Sequence, residues 1–140
     1  MYKRILLASD DSLDAGGALE PALALARGLD AYLEMLVVIS LPRSPLLKAE
    51  VDDAVAAAEI RSSYIISAAQ RRAEAAHVAF HGDLALGGFV DRTLEFIDQN
   101  RPELLVISKV GRPAFLDLLF WGAADRLAWR ASCSVHLVKA

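Results

Sequence analysis

The sequence predicts a single α/β domain, built on an open parallel β-sheet with helices on both faces. Three observations lead to this prediction. The chain has 140 residues, which is enough for one hydrophobic core. Apolar residues make up 55% of it and charged residues 24%, as in ordinary globular proteins. Short apolar runs alternate with helical patterns along the chain, which is typical of parallel strands joined by right-handed helical crossovers.

Five apolar runs of strand length are the predicted strands. The first of them is continuously apolar, which is typical of a strand buried on both faces. The last alternates apolar residues with His136. In chain order, the predicted strands span residues 5–8, 32–39, 77–81, 104–107 and 135–138.

Four helical patterns connect these strands. The first is expected to begin with Ser12 or Asp14 as its N-cap and to end at Gly28. Pro21 lies inside this pattern and lacks a backbone donor, so the helix must begin late or kink. The second pattern is rich in alanine and contains neither glycine nor proline. In chain order, the predicted helices span residues 12–27, 47–76, 82–100 and 119–130.

Charge and composition argue against several classes of protein. The formal net charge is −3, from 15 basic and 18 acidic side chains that are well mixed, which argues against a nucleic-acid partner. Cys133 is the only cysteine, so no intramolecular disulfide or cysteine-rich zinc site is expected. No apolar run approaches the roughly 20 residues that cross a bilayer. Because the N-terminus leads directly into a strand pattern, a cytoplasmic protein without membrane contact is expected.

Ligand-binding residues are expected where the predicted strands end. In an open parallel sheet, ligands bind beyond the carboxyl ends of the strands, at the point where the strand order reverses. In this chain those ends are residues 8–11, 38–41 and 107–111. Any chemistry should therefore be sought in these three segments.

Three blocks of the sequence resemble the universal stress protein family. Residues 4–12, Arg-Ile-Leu-Leu-Ala-Ser-Asp-Asp-Ser, resemble its opening strand and Asp-Gly-Ser turn, and residues 102–111 resemble the strand that leads into its glycine loop. Residues 124–127 and 131–138 resemble its closing helix and last strand, with Ser134 in place of a proline. The resemblance implies one universal stress protein domain that fills the chain, with the strand order 3-2-1-4-5 of adenine nucleotide alpha-hydrolase-like folds.

Nucleotide-binding members of that family carry Gly-x-x-Gly, nine further residues, and then Gly followed by Ser or Thr. The glycines let backbone N–H groups approach phosphates, and the hydroxyl and a helix N-terminus complete the cradle. Aligned without an insertion, the four positions hold Ser108, Gly111, Trp121 and Gly122, so only one of the four is kept. Making Gly122 the third glycine requires an extra residue and puts Ala123 where a hydroxyl is wanted.

The altered motif predicts weak or absent ATP binding. Trp121 places an indole where main chain should approach phosphate, although a core or interface aromatic is favoured over a side chain that stacks on a base. Lys109 and Arg112 flank Gly111 and could hold an anion in place of the lost backbone donors. Two solvated loop cations are the favoured interpretation of this pair.

Two further positions take a candidate role from the resemblance. Asp10 stands where nucleotide-binding members place an aspartate near the adenosine, and Val38 stands where such members contact the base. Asp10 is explained equally well as a cap for the following helix, whereas Val38 is explained better by core packing. Both belong to a candidate nucleotide pocket of reduced size.

Other reactive side chains do not assemble into a site. His77 and His81 share one face of the predicted third strand, but without a companion ligand a chance pair is favoured over a metal site. Cys133 has no basic neighbour in the sequence and is predicted to be buried and inert. No Gly-x-Ser-x-Gly elbow is present. We therefore assign no catalytic residue and no metal ligand.

The favoured function is that of a universal stress response protein acting as a dimeric, non-enzymatic binding or regulatory module without a cofactor. The stress role rests on the resemblance alone. The last strand should lie at a sheet edge, and an apolar edge from Val135 to Val138 invites pairing with a second copy, as is common in the family. A different protein partner also fits this role.

Two alternatives stay open at this point. One is an ATP- or AMP-binding family member with slow hydrolysis, using Asp10, Gly111 and Lys109. The other is a phosphorylatable receiver domain, suggested by the acid pair Asp10-Asp11 and by Lys109. The receiver is disfavoured because its third strand should end in a phosphoacceptor, whereas the predicted strand here ends in His81-Gly82 and Asp83 comes one residue further on.

Overall fold

Five parallel strands form one sheet in the part of the chain that the computed structural model describes, residues 1–41, 47–108 and 122–139. The strands are β1 (Arg4–Ser9), β2 (Tyr32–Ile39), β3 (Phe80–Leu86), β4 (Leu104–Ser108) and β5 (Ser134–Val138). Their order is β3-β2-β1-β4-β5, and every neighbouring pair is parallel. The predicted fold class and strand order are confirmed.

Four α-helices in the described ranges connect the strands. They are α1 (Leu19–Leu29), α2 (Lys48–Ala75), α3 (Phe89–Asn100) and α4 (Ala123–Arg130). A short 3-10 segment, Leu13–Gly17, precedes α1. Residues 119–121, predicted as the start of the last helix, lie outside the described residues. Among the helices described, none is long and apolar enough to span a bilayer.

Strand β1 lies at the centre of the sheet and is buried on both faces. Ile5, Leu6 and Leu7 have no exposed surface. Because successive side chains of a strand point to opposite faces, Ile5 and Leu7 pack in one core with α1 and α2, whereas Leu6 packs in a second core with α3 and α4. This two-sided burial explains why the strand is a continuous apolar run in the sequence.

The first helix begins later than predicted. Neither Ser12 nor Asp14 caps it, because α1 starts at Leu19 and the chain before it is left-handed at Asp14 (φ 56°). Pro21 consequently lies in the first helical turn, where a missing N–H removes no helical hydrogen bond. The other end was also predicted wrongly: Gly28 lies inside α1, and Asp30 ends it in the left-handed conformation, which aspartate tolerates.

The prediction for the third strand was also wrong. The strand was expected at residues 77–81, but β3 spans Phe80–Leu86 and pairs with β2 along its full length. Gly82 and Asp83 are poor strand formers, and their presence led to the prediction of a helix over residues that belong to the strand. His77 has a left-handed backbone (φ 58°) ahead of β3, so the predicted pair of histidines on one strand face does not exist. Asp83 lies within the strand rather than after it.

Gly82 allows β3 to approach α2 closely, and this generates a stability prediction. A Cβ at Gly82 would lie 2.5 Å from Ile66 Cγ2 on α2. We expect Gly82→Ala to lower the free energy of unfolding by about 1–3 kcal/mol through overpacking. Gly28→Ala is the matched control, because a Cβ there meets nothing within 4 Å.

The control should change stability in the opposite direction. Gly28 lies in the last turn of α1, where alanine is a better helix former, so Gly28→Ala should raise the free energy of unfolding by up to about 0.5–1 kcal/mol. Denaturant unfolding followed by circular dichroism measures both variants. Equal effects of the two substitutions would show that the close contact between β3 and α2 is not present.

Candidate functional site

A cleft of about 570 Å³ opens at the carboxyl ends of the central strands, a volume typical of small-molecule sites. Its described walls come from the end of β1, the loop before α1, the end of β4 and the first residues of α3 and α4. The described lining residues are Ala8, Ser9, Asp10, Ser12, Ala15, Gly16, Ser40, Phe89, Ser108 and Ala123. This is the edge of the sheet where the strand order reverses, as the sequence predicts.

One wall of the cleft is a loop with left-handed backbone. Asp14, Ala15 and Gly16 have φ angles of 56°, 52° and 63°. Residues other than glycine rarely adopt this conformation, but the side chain of Ala15 is buried in the core beneath α1 and its packing supports the turn. The loop thereby folds back over the end of β1 and brings Gly16 to the end of β4.

A single long-range hydrogen bond joins this loop to β4. The Ser108 hydroxyl donates to the main-chain carbonyl of Gly16, with 2.7 Å between the oxygens. Ser108 occupies the position of the first glycine of the altered motif. Its side chain is therefore held by the protein's own main chain at the place where the motif requires bare backbone.

Asp10 is the only charged residue among the described lining residues. Its Oδ1 accepts hydrogen bonds from the Ser12 backbone N–H, at 2.9 Å, and from the Ser12 hydroxyl. This is an Asx turn that directs the chain out of β1 rather than a helix cap. In the described part of the protein no hydrogen bond reaches Asp10 Oδ2, so one carboxylate oxygen stays available to a donor in the cleft.

Gly122 lies at the N-terminus of α4, at the border of the cleft. It is buried, and its carbonyl accepts the N–H of Arg126 at 3.1 Å as the helix begins. Ala123, the first residue of α4, lines the cleft. Because Gly122 has no side chain, it supplies no hydroxyl at the motif position where family members carry Ser or Thr.

Val38 is the remaining predicted site residue that the structure describes, and it does not line the cleft. Val38 is only 3% exposed and packs in the core with Leu6 and Leu36. Ser40, two residues further along the chain, lines the cleft instead. Four predicted residues lie outside the described ranges, so their roles stay predictions: Lys109, Gly111, Arg112 and Trp121.

The lining residues missed by the sequence analysis include Ala15, Gly16, Ser40 and Phe89. Gly16 reaches the cleft only through the left-handed loop, for which the pair Gly16-Gly17 was the available signal. Ser40 lies in the segment 38–41 that was predicted to hold ligand residues, but nothing singled it out. Phe89 begins α3, and the late start of that helix was concealed by the wrong boundary of β3.

Reactive side chains elsewhere do not form a second site. His81 Nε2 lies 3.2 Å from Asp83 Oδ1 on the exposed edge strand. Among the described residues, no group of three histidine, cysteine or acidic side chains could hold a metal ion. Burial raises the pKa of the half-buried Cys133 thiol, which keeps it protonated and poorly nucleophilic.

Comparisons with known proteins agree with this architecture. The family model described as the universal stress protein family matches residues 1–139. A structure from that family from Burkholderia pseudomallei is 26% identical, with a TM-score of 0.78, covering 99% of this chain and 97% of the other. A universal stress protein in complex with cAMP is 23% identical, with a TM-score of 0.77 and coverage of 98% and 97%.

A more distant structure carries a second nucleotide. An Arabidopsis thaliana protein of the universal stress protein family with AMP bound is 14% identical, with a TM-score of 0.68, covering 98% of this chain and 91% of the other. No curated protein sequence matches this chain. At these identities the two nucleotide-bound structures agree with this chain in fold.

The hydrogen bond between Ser108 and Gly16 should stabilise the loop at residues 13–17, and its removal should therefore change the stability of the protein. Ser108→Ala removes the donor and should lower the free energy of unfolding by about 0.5–1.5 kcal/mol. Ser40→Ala is the matched control, because the Ser40 hydroxyl makes only a long bond of 3.4 Å to the Gly87 carbonyl and should cost less than about 0.5 kcal/mol. Thermal unfolding and amide hydrogen exchange of residues 13–17 measure both effects. Unchanged exchange in Ser108→Ala would show that this hydrogen bond does not stabilise the loop.

Proposed function

The chain belongs to the universal stress protein family, and from this premise we propose that it is a non-enzymatic regulatory module whose cleft takes an adenosine monophosphate. In this proposal ATP binds weakly or not at all. The stress role comes with the family. The ligand class is supported by the cAMP and AMP carried by the two structures of the same fold.

The charge of the cleft is the observation that carries this proposal. Among its described lining residues the only charged side chain is the carboxylate of Asp10, and none is basic. A polyphosphate needs cationic or backbone N–H donors around it. Each added phosphate brings negative charge towards the Asp10 carboxylate, and like charges at short range repel most strongly where water is partly excluded. The described walls suit a neutral nucleoside better than a triphosphate.

Asp10 suits the sugar of such a ligand. Ribose hydroxyls are donors, and an acidic side chain at the carboxyl end of a strand is a common partner for them. Since both hydrogen bonds from Ser12 end on Oδ1 of Asp10, its Oδ2 can accept a sugar hydroxyl without breaking the Asx turn. The ring of Phe89 and the small residues Ala8 and Ala15 offer apolar surface for a base.

The phosphate end of the cleft is where the altered motif acts. The side chain of Ser108 occupies the approach to the main chain at the end of β4, and Gly122 offers no hydroxyl from the start of α4. With Trp121 at the third motif position, three of the four cradle positions have changed. One phosphate near the N-terminus of α4 needs fewer donors than three.

Slow ATP hydrolysis is the alternative function. It would require Lys109 and Gly111 to hold the distal phosphates and Asp10 to act beside them. The nucleotide-bound structures of the same fold favour keeping this alternative, since their ligands share the adenosine group with ATP. The two functions differ in their preferred nucleotide and in the appearance of ADP.

A homodimer is part of the proposal. The strand β5 forms one edge of the sheet, and Val138 is buried against β4 while Ser134 and His136 are exposed. An unpaired edge strand exposes backbone donors and acceptors that a second copy can satisfy. We place the protein in the cytoplasm, as expected from its sequence.

Isothermal titration of the purified chain with adenosine, AMP and ATP tests the proposed ligand. We expect AMP to bind at least about tenfold more tightly than ATP, a difference of about 1.4 kcal/mol. Asp10→Asn should weaken the binding of adenosine about five- to tenfold, because the hydrogen bond to the sugar is lost. It should weaken the binding of AMP less, because the repulsion between Asp10 and the phosphate is lost as well. Asp98→Asn, which changes an exposed carboxylate on α3, should change neither.

The same samples distinguish the alternative. Incubation with ATP followed by chromatography should show no ADP beyond a blank without protein. ATP binding as tight as that of AMP, or steady release of ADP, would favour the hydrolytic alternative. Absence of binding by all three ligands would overturn the ligand part of the proposal.

A further inference from the structure

The outer face of α2 carries a regular stripe of exposed residues. They are spaced alternately by four and three positions, which is the spacing of the contact positions of a coiled coil. The opposite face of α2 is the buried one, with Ser62, Ile65 and Ala69 packed on the sheet. We call the exposed set the outer stripe: Asp53, Ala57, Ile60, Tyr64, Ser67 and Arg71.

The centre of the outer stripe is apolar and solvent-exposed. Ile60 is 73% exposed and Tyr64 is 65% exposed, although both are large hydrophobic side chains. A groove of about 440 Å³ between Glu59 and Ser67 lies on one side of this ridge. A second groove of about 600 Å³ lies on the other side, bordered by Leu13, which is itself 54% exposed. A second helix can pack against such a surface, because its own side-chain ridges fit into the two grooves beside the central ridge.

We propose that the occupant of this surface is a second copy of the same chain, with its α2 packed antiparallel against the outer stripe. The stripe is self-complementary about a two-fold axis at the level of position 62. Such an axis places Ile60 opposite the partner's Tyr64 and Ala57 opposite the partner's Ser67. The large residues then meet at the centre, and the small ones beside them let the helices approach closely.

The charges at the two ends of the outer stripe identify the partner. The same axis places Asp53 opposite the partner's Arg71, and the partner's Asp53 opposite Arg71, so both ends carry opposite charges. An antiparallel arrangement also opposes the two helix dipoles favourably. A parallel arrangement would instead place equal charges against each other at both ends. The sequence of the stripe therefore specifies the orientation as well as the occupant.

Two charged residues of α2 that lie outside the outer stripe are paired within one copy. Arg61 pairs with Asp11, with 3.0 Å between Nε and Oδ2, and Arg72 pairs with Glu20. Both of these pairs tie α2 to its own chain. In the described ranges Asp53 and Arg71 make no ion pair, and both point from the exposed face. Asp53 and Arg71 are therefore the charges of the outer stripe with which a second copy would form ion pairs.

The outer stripe lies apart from the edge strand β5 on which the proposed family-type dimer depends. A two-fold contact uses the same patch on both copies, so the two contacts are independent. If both form, the particle is larger than a dimer. Loss of the α2 contact lowers the mass of the particle whether or not β5 also pairs.

Charge reversal tests the proposal by sedimentation velocity over a series of protein concentrations at low salt. Arg71→Glu and Asp53→Arg each place like charges opposite one another at both ends, and each should weaken association about tenfold or more. The double variant Asp53→Arg with Arg71→Glu restores opposite charges and should return the dissociation constant to within about threefold of wild type. Tyr64→Ala should weaken association more than about fivefold, as truncation of a central aromatic does.

Arg27→Glu on α1 is the matched control, because it makes the same charge change on an exposed helix residue away from the stripe. It should leave association unchanged, and circular dichroism should show native helix content in every variant. A mass that no stripe variant alters would overturn the proposal. A double variant as weak as the two single variants, or a wild-type chain that stays monomeric at its highest soluble concentration, would overturn it as well.

Discussion

The burial of β1 between two parallel neighbours is the constraint on which the rest of the structure depends. This strand pairs with β2 on one side and β4 on the other, and its side chains from Ile5 to Ser9 are buried. The chain leaves it at the carboxyl edge of the sheet, at the point where the strand order reverses, with β2 on one side and β4 on the other. Asp10 and the loop after it are therefore placed over the cleft by the topology, before any ligand is considered.

The loop after β1 forms one wall of the cleft at the carboxyl edge of the sheet. Three consecutive left-handed residues reverse the chain, and the buried Ala15 and the bond from Ser108 to Gly16 hold the reversed loop in place. The same loop contacts α2, because Asp11 pairs with Arg61 and Leu13 borders the groove beside Tyr64. The candidate ligand cleft and the outer stripe thus share one short segment of chain.

The sequence predicted the elements whose local pattern agrees with their tertiary environment. The continuous apolar run of β1, the exact span of β2 and the alanine-rich α2 are of this kind. The sequence-based prediction was wrong at β3. There Gly82 is required by the close approach of Ile66 on α2, and a contact between two elements cannot be predicted from local propensity. The prediction was also wrong at α1, because left-handed backbone before Leu19 is supported by the core packing of Ala15.

The site residues, too, could be predicted where strand ends determine their positions and were missed where long-range packing does. Asp10 and Ser108 line the cleft because strand ends fix their positions, whereas Val38 lies in the core. Gly16 and Phe89 were missed because they arrive from elements whose boundaries depend on long-range packing. The loss of glycine at two motif positions and of a hydroxyl at a third was visible in the sequence alone, because it concerns residue types rather than geometry.

Amide chemical shifts of the isotopically labelled chain, followed by NMR during titration with AMP, show which residues contact the ligand. We expect the largest changes on both walls of the cleft, at residues 8–16 and at Ser40, Ser108 and Ala123. Changes confined to one wall, or centred on residues away from the carboxyl edge of the sheet, would contradict this expectation.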